Sequence, residues 1–191
     1  MPSGAGPQGF IALMLVYLGL GSNTGDRALN IKKALEAMRD DPRFSLMRVS
    51  RFYLTSPVGP EQRYFINAAA LVKTRLEPLE LLCAVKDLEK MLGRKAALIR
   101  LGPRKIDIDV LFYGKRVIEE RGLKIPHAEI ANRLFVLTPL CDIAPDFRHP
   151  RLRKTVRKLR DALLLTCVGQ RVKILKSRWR MRTESRSKIK G

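Results

Sequence analysis

The run Gly102-Pro103-Arg104-Lys105-Ile106-Asp107-Ile108-Asp109-Val110-Leu111-Phe112 alternates branched apolar and acidic side chains from Ile106 to Val110. Successive side chains of a strand point to opposite faces. Asp107 and Asp109 therefore leave one face about 6 to 7 Å apart, while Ile106, Ile108 and Val110 leave the other. One face belongs to a core and the other can hold a cation. Adjacent carboxylates repel unless positive charge lies between them, and hard oxygen ligands beside Lys and Arg suit Mg²⁺ carrying a polyphosphate. The plain alternative is an edge strand with a solvated polar face; Arg104 just upstream favours the cation.

Working outward, the apolar run Phe10 to Leu20 reads as a buried strand. It is too short to span a bilayer, and no Lys or Arg precedes it, so it lacks the charged region of a signal peptide. Gly21-Ser22-Asn23-Thr24-Gly25-Asp26 is a turn whose last residue can cap a helix, and Ile31, Ala34, Leu35 and Met38 recur at helical spacing before Pro42. Phe44 to Tyr53 reads as one strand, Thr55-Ser56-Pro57-Val58-Gly59-Pro60 as a long turn, and Phe65 to Thr74 as a strand that can pair back as a hairpin. Pro78 opens a helix with Leu79, Leu82, Val85, Leu88 and Leu92 on one face, closed near Gly93. The aspartate strand follows. The order β-α-β-β-α-β points to an α+β fold of ferredoxin-like type, a mainly antiparallel sheet with helices packed against it.

A chain of 191 residues with 46% hydrophobic residues closes one core and leaves no room for a second catalytic domain. Residues 1–12 read as a disordered Pro-, Gly- and Ser-rich leader, with Met14 as an alternative start, 13–150 as the catalytic domain, and 151–191 as a basic, partly helical extension. Of the net charge of +20, +14 lies from Arg148 onward, where 16 Lys and Arg face only Asp161 and Glu184. The front portion is mildly basic, as suits a binder of ATP-like anions. The tail reads as solvated surface able to make nonspecific polyanion contacts, so truncation after about Leu165 is expected to leave the rest of the chain intact. Cys83, Cys141 and Cys167 are widely spaced without a Cys-x-x-Cys or His partner, which indicates neither a disulfide framework nor a zinc site and makes a reducing cytoplasm the expected compartment.

Four separated segments carry a resemblance to the 6-hydroxymethyl-7,8-dihydropterin pyrophosphokinase family of folate biosynthesis. They are Tyr17 to Asn23, Thr55 to Pro60 leading to Phe65-Ile66-Asn67-Ala68-Ala69, Gly102-Pro103-Arg104 through Asp109, and Ile125-Pro126-His127 with Asn132-Arg133. The resemblance implies that the pterin hydroxymethyl oxygen attacks the β-phosphorus of ATP and AMP leaves. It makes Asp107 and Asp109 ligands of two Mg²⁺ ions, and gives Arg94, Arg104, His127 and Arg133 phosphate contacts or a part in closing the site. Glu89 and Val110 match positions lining the nucleotide pocket. Thr55, Val58 and Asn67 match groups that hydrogen-bond the pterin edge, and Phe65 and Phe135 the aromatic pair that sandwiches it. Partners are thus small molecules, with no membrane, and the protein is expected to be a monomer.

The sequence departs from the family pattern at Ala96, where bacterial relatives often have a second arginine, at Leu101, where many carry tryptophan, and at Gly122; Lys95, Arg100, Arg121 and Lys124 stand nearby as alternative charges. A ferredoxin-like nucleic-acid module is the rival class, but the strands lack the aromatic signature that such modules use to stack bases. A degenerate scaffold is a third reading, opposed by the joint retention of Arg104, Asp107, Asp109, Asn67 and His127.

Overall fold

The computed structural model describes residues 12–59, 61–94, 102–120 and 122–176. Most of the expected leader, the departures at Ala96 and Leu101 with Lys95 and Arg100 beside them, Arg121, and the tail beyond residue 176 lie outside the described residues.

The chain runs β1 (Met14–Ser22), α1 (Arg27–Asp40), β2 (Ser45–Val49), β3 (Tyr53–Thr55), β4 (Phe65–Thr74), α2 (Pro78–Met91), β5 (Asp107–Tyr113), β6 (Ile118–Glu120), β7 (Leu123–Ile125), a 3-10 turn (Ile130–Asn132), α3 (Leu134–Ile143), α4 (Val156–Thr166) and β8 (Val172–Ile174). The main sheet has the order β5-β1-β4-β3-β8, with β2 also on β4, and every pairing in it is antiparallel. The expected β-α-β-β-α-β core is present. Its second strand, however, is split: the Ser50 hydroxyl enters the ladder, accepting from Ala69 N at 2.8 Å and donating to Arg51 O at 2.7 Å, so a side chain does the work of a backbone group and the pairing breaks between β2 and β3.

Local chemistry starts the first two helices where expected. Asp26 caps α1 by accepting from Leu29 N at 3.0 Å, and Pro78 opens α2 while Glu80 accepts from Glu77 N at 2.8 Å. The buried face of α2 differs from the expected stripe. It is formed by Leu81, Ala84, Val85 and Leu88, whereas Leu79 is 47% exposed. Leu79 lies two positions from Leu81, a spacing that puts it off the buried face.

Helices α1 and α2 pack on one sheet face against Val16, Leu18, Leu20, Ile108 and Val110. On the opposite face α3 and α4 cover Tyr17, Leu71, Leu111 and Phe112 with Val136, Leu137, Leu140 and Leu159. Each fully buried Leu there contributes about 1.5–3 kcal/mol. Helix α3 is absent from the sequence expectation because Pro139 sits inside it and Arg133, its N-cap residue, offers no capping side chain. Its presence covers the sheet face on which a ferredoxin-like RNA module would stack bases.

The extension beyond residue 150 is not solvated surface up to its last described residue. Helix α4 begins at Val156, capped by Thr155, and buries Val156 and Leu159. Strand β8 then pairs with β3, Tyr53 opposite Ile174. The expected harmless truncation after Leu165 would thus remove an edge strand of the main sheet. Leu164 and Leu165 are exposed.

One ion cluster ties α3 to the link between β2 and β3. Asp142 accepts from Arg51 N at 3.0 Å, from Arg51 Nη2 at 2.6 Å and from the Tyr53 hydroxyl at 2.9 Å. Burial pushes the Asp142 carboxyl up, but the Arg51 and Tyr53 hydrogen bonds outweigh it and hold it below the usual range. A carboxylate depressed in the folded state adds stability above its unfolded pKa of about 3.9, and that stability is lost as pH falls through the lower folded value. Urea unfolding of Asp142→Asn is therefore expected to show a loss of about 1–3 kcal/mol at pH 7. The difference from the parent should shrink below about pH 4. A deficit independent of pH would contradict the assignment.

Candidate active site

Register places the acidic strand over a glycine floor. On β1, Gly19 lies opposite Asp109 on one side and Ala69 on the other; Gly21 lies opposite Asp107 and Asn67. Residues directly opposite share a face, so two rows run across the sheet, Asp107–Gly21–Asn67 and Asp109–Gly19–Ala69. Above them is a cavity of about 250 Å³. A Cβ on Gly21 would stand 2.8 Å from Asn67 Oδ1, a contact that forces the amide to move, and one on Gly19 would press on Leu111 at 3.4 Å. Two glycines spaced by two on a strand are a signal that could have been read as a floor needing bare backbone.

One wall is the segment after β3 with the start of β4, contributing Thr55, Ser56, Val58, Gln62 and Phe65; His127, Arg133 and Phe135 form the other. Asn67 Nδ2 donates to Thr55 Oγ1 at 2.7 Å, with both residues buried. The Arg133 guanidinium lies 5.6 Å from the centre of the Phe135 ring, within cation–π range. His127 donates its backbone N–H to Leu111 O at 3.1 Å and accepts from Glu129 N at Nδ1 at 3.2 Å, which leaves Nε2 to carry the proton of the neutral ring. Burial pushes the His127 pKa down, against the pull of Asp109.

The two aspartates differ. Asp107 accepts from Arg94 at 2.6 Å and from Arg104 at 2.5 Å, one guanidinium on each oxygen. Burial opposes its charge, yet Arg104 and Arg94 hold its carboxyl below the usual range. Asp109 forms no ion pair among the described residues, and burial, reinforced by the negative Asp107, pushes it up. A carboxylate of this kind, desolvated beside a like charge, gains most from an incoming cation.

Beneath the pair, Glu89 is 1% exposed; it accepts from Ile108 N at 2.6 Å and pairs with Lys86 at 3.1 Å and with Arg94. Burial pushes its carboxyl up while Lys86 and the Ile108 N–H resist. Arg94, which does not itself line the cavity, links Glu89 to the lining Asp107. Val110 packs in the core on the far face of β5, so neither Glu89 nor Val110 is among the residues lining this cavity. The structure brings Thr55, Val58, Phe65, Asn67, Arg104, Asp107, Asp109, His127, Arg133 and Phe135 around the one cavity.

Gly21-Ser22-Asn23, read from the sequence as a turn and as part of a segment that resembles the family, is a bracket. The Ser22 hydroxyl donates to Lys105 O at 2.6 Å, Asn23 Oδ1 accepts from Arg104 N at 2.7 Å, and Asn23 N donates to Arg104 O at 3.1 Å. Asn23 Nδ2 reaches across to Gln62 on the cavity wall at 2.8 Å. These bonds fix the segment that aims Arg104 at Asp107. Their partners lie 83, 81 and 39 residues apart for Ser22–Lys105, Asn23–Arg104 and Asn23–Gln62, so no local pattern announces them.

The described residues contain no cluster of three or more His, Cys, Asp or Glu able to hold a metal ion. A carboxylate pair alone suits Mg²⁺, which keeps several waters and takes its remaining oxygens from phosphates.

The profile of the family described as 7,8-dihydro-6-hydroxymethylpterin-pyrophosphokinase (HPPK) matches residues 17–145. The chain belongs to the HPPK family. It is 42% identical over 136 residues to the 2-amino-4-hydroxy-6-hydroxymethyldihydropteridine pyrophosphokinase of Pseudomonas aeruginosa, covering 71% of this chain and 83% of that one. It is 41% identical over 153 residues to the bifunctional protein FolKE of Lactococcus lactis, covering 78% of this chain but 44% of that longer protein. A crystal structure of Plasmodium falciparum HPPK-DHPS shares the fold with a TM-score of 0.66 at 19% identity, over 81% of this chain and 45% of that one. The HPPK match ends at residue 145, before α4 and β8.

Removing the Asn23 side chain should leave the Arg104 N–H unpaired. Asn23→Ala is expected to lower stability by about 1–3 kcal/mol in urea unfolding. A loss below a few tenths would mean that the bracket is redundant.

Proposed function

We propose that this chain transfers the pyrophosphoryl group of ATP to 6-hydroxymethyl-7,8-dihydropterin, giving the pterin diphosphate and AMP in folate biosynthesis. The observation that carries the reading is a single cavity joining a carboxylate pair flanked by arginines to a slot lined by two aromatic rings and a buried amide. HPPK membership supports the same chemistry. Asp107 and Asp109 would hold Mg²⁺, two ions in the family pattern, and the metal, when bound, neutralises charge on the triphosphate.

The chain's own residues position and neutralise. Phosphate oxygens would compete with Asp107 for the guanidiniums of Arg94 and Arg104, and Arg133 with the His127 Nε2–H adds donors at the far wall. Phe65 and Phe135 would stack a flat heterocycle, and Asn67 with Thr55 would meet its edge, with Val58 at the rim. In the reaction the hydroxymethyl oxygen bonds to the β-phosphorus as the bond from that phosphorus to the α–β bridging oxygen breaks, so AMP carries that oxygen away. The hydroxyl proton leaves the attacking oxygen, and no side chain is assigned as its acceptor. No helix among the described residues is long and apolar enough to cross a membrane. Beyond the small-molecule partners, the basic tail supports salt-sensitive polyanion contact by a monomeric, cytoplasmic enzyme.

Incubating the protein with the pterin, ATP and Mg²⁺ should release AMP; ADP as the sole product would mean ordinary kinase chemistry and overturn the reading. In the same assay, Asp107→Ala and Asp109→Ala should each lose about 10² to 10⁴-fold in turnover with the fold intact. Near-full rates in either would remove the carboxylates from the chemistry.

Asn67→Ala separates the two ligands. Calorimetry should show pterin binding weakened by about 1–3 kcal/mol with ATP binding little changed. Equal losses for both would make Asn67 a structural residue.

A further inference from the structure

Residues 169–171, which lie beyond the segment matched by the HPPK profile, touch both walls of the cavity. Gly169 adopts φ +95°, a conformation that side chains rarely tolerate, and turns the chain so that β8 runs along β3. On one side the Arg171 N–H donates to Ser56 Oγ at 2.9 Å, Ser56 N donates to Arg171 O at 3.0 Å, and the Ser56 hydroxyl donates to Gly169 O at 3.2 Å. Ser56 belongs to the wall that carries Thr55 and Val58. On the other side Gln170 Oε1 accepts from Leu134 N at 2.9 Å while its Nε2 donates to Asn132 O at 2.9 Å. Those bonds straddle Arg133 and come one residue before Phe135.

The start of α3 lacks a cap of its own: its N-cap residue, Arg133, makes no side-chain capping bond. The first amides of a helix need acceptors, and one supplied from a distant segment fixes the helix end to that segment. Three consecutive residues therefore bridge the Thr55–Val58 wall and the Arg133–Phe135 wall, beside the Asp142 cluster that ties α3 to the β2–β3 link. We propose that Gln170 is a positioning residue for the pterin slot, with residues 169–171 acting as a strap that holds the two walls at the spacing of a flat heterocycle. This inference rests on the functional reading above.

The test uses the full chain with Gln170→Ala and Gln170→Glu, the latter keeping an acceptor for the Leu134 N–H. The pterin is titrated into protein saturated with a non-hydrolysable ATP analogue and Mg²⁺, and backbone hydrogen exchange is followed without ligand. Gln170→Ala should raise the pterin Kd about 3- to 10-fold, the scale of one or two lost neutral hydrogen bonds, while ATP-analogue affinity stays within about twofold. Exchange should rise at 55–58 and at 133–136, and Gln170→Glu, which keeps the acceptor for Leu134 N but sets an oxygen against Asn132 O, should recover part of both effects. Wild-type pterin affinity in Gln170→Ala despite faster exchange at Leu134 would reduce the residue to a helix cap and overturn the proposal. Should the parent protein bind no pterin, the functional reading fails, and exchange still decides the strap: unchanged protection of both walls in Gln170→Ala overturns it.

Discussion

The repulsion between Asp107 and Asp109 organises this molecule. Both side chains leave the same face of an edge strand at a depth where water solvates them poorly, and a like-charge pair in that setting is costly unless cations answer it. Arg94 and Arg104 answer one member, and other features exist to keep them there. Glu89 lies buried beneath Arg94 and is itself held by the Ile108 amide and Lys86, while Asn23 and Ser22 grip the backbone on either side of Arg104. Asp109 remains without such a partner among the described residues, so the site combines a compensated carboxylate with an uncompensated one.

Bare backbone is the complement to that charge. Because β1 runs between β4 and β5, the acids and Asn67 are brought level only across Gly19 and Gly21. Any side chain at Gly21 would collide with the Asn67 amide. Acidic and heterocycle-facing ends of the cavity thus share one floor, and the distance between them is a property of strand spacing, which is stiff, instead of loop conformation, which is not.

Much of this was legible because it is periodic. The alternation around Asp107 assigned its faces correctly, Asp26 and Pro78 marked helix starts, and the β-α-β-β-α-β order of elements pointed to the antiparallel sheet. What escaped depends on partners remote in sequence. Ser50 interrupts a strand by bonding Ala69, a replacement of backbone by hydroxyl that no propensity announces. Helix α3 hides behind an internal Pro139, tolerated because its other residues bury an apolar surface on the sheet. Strand β8 has three residues with Lys173 at its centre, too short and too polar to read as sheet without β3 beside it. Asp107, Asp109 and Arg104 were legible from alternation and charge, and the other site residues came through the family resemblance; the roles of Gln170 and Asn23 did not, since they lie in hydrogen bonds to main-chain atoms far along the chain.

The pairing of β3 with β8 also sets an order of events during synthesis. Ser56 and Arg171 are separated by 115 residues, and their bonds close one of the longest loops in the structure. The chain emerges N-terminus first, so β1, β4 and β5 can assemble and set the two carboxylates in register while the cavity wall at Ser56 still lacks its neighbour. A ribosome-bound chain that ends short of Val172 therefore holds a formed acidic floor beside an edge strand whose outer N–H and C=O groups are open to other chains, and that exposure ends only when β8 emerges and docks.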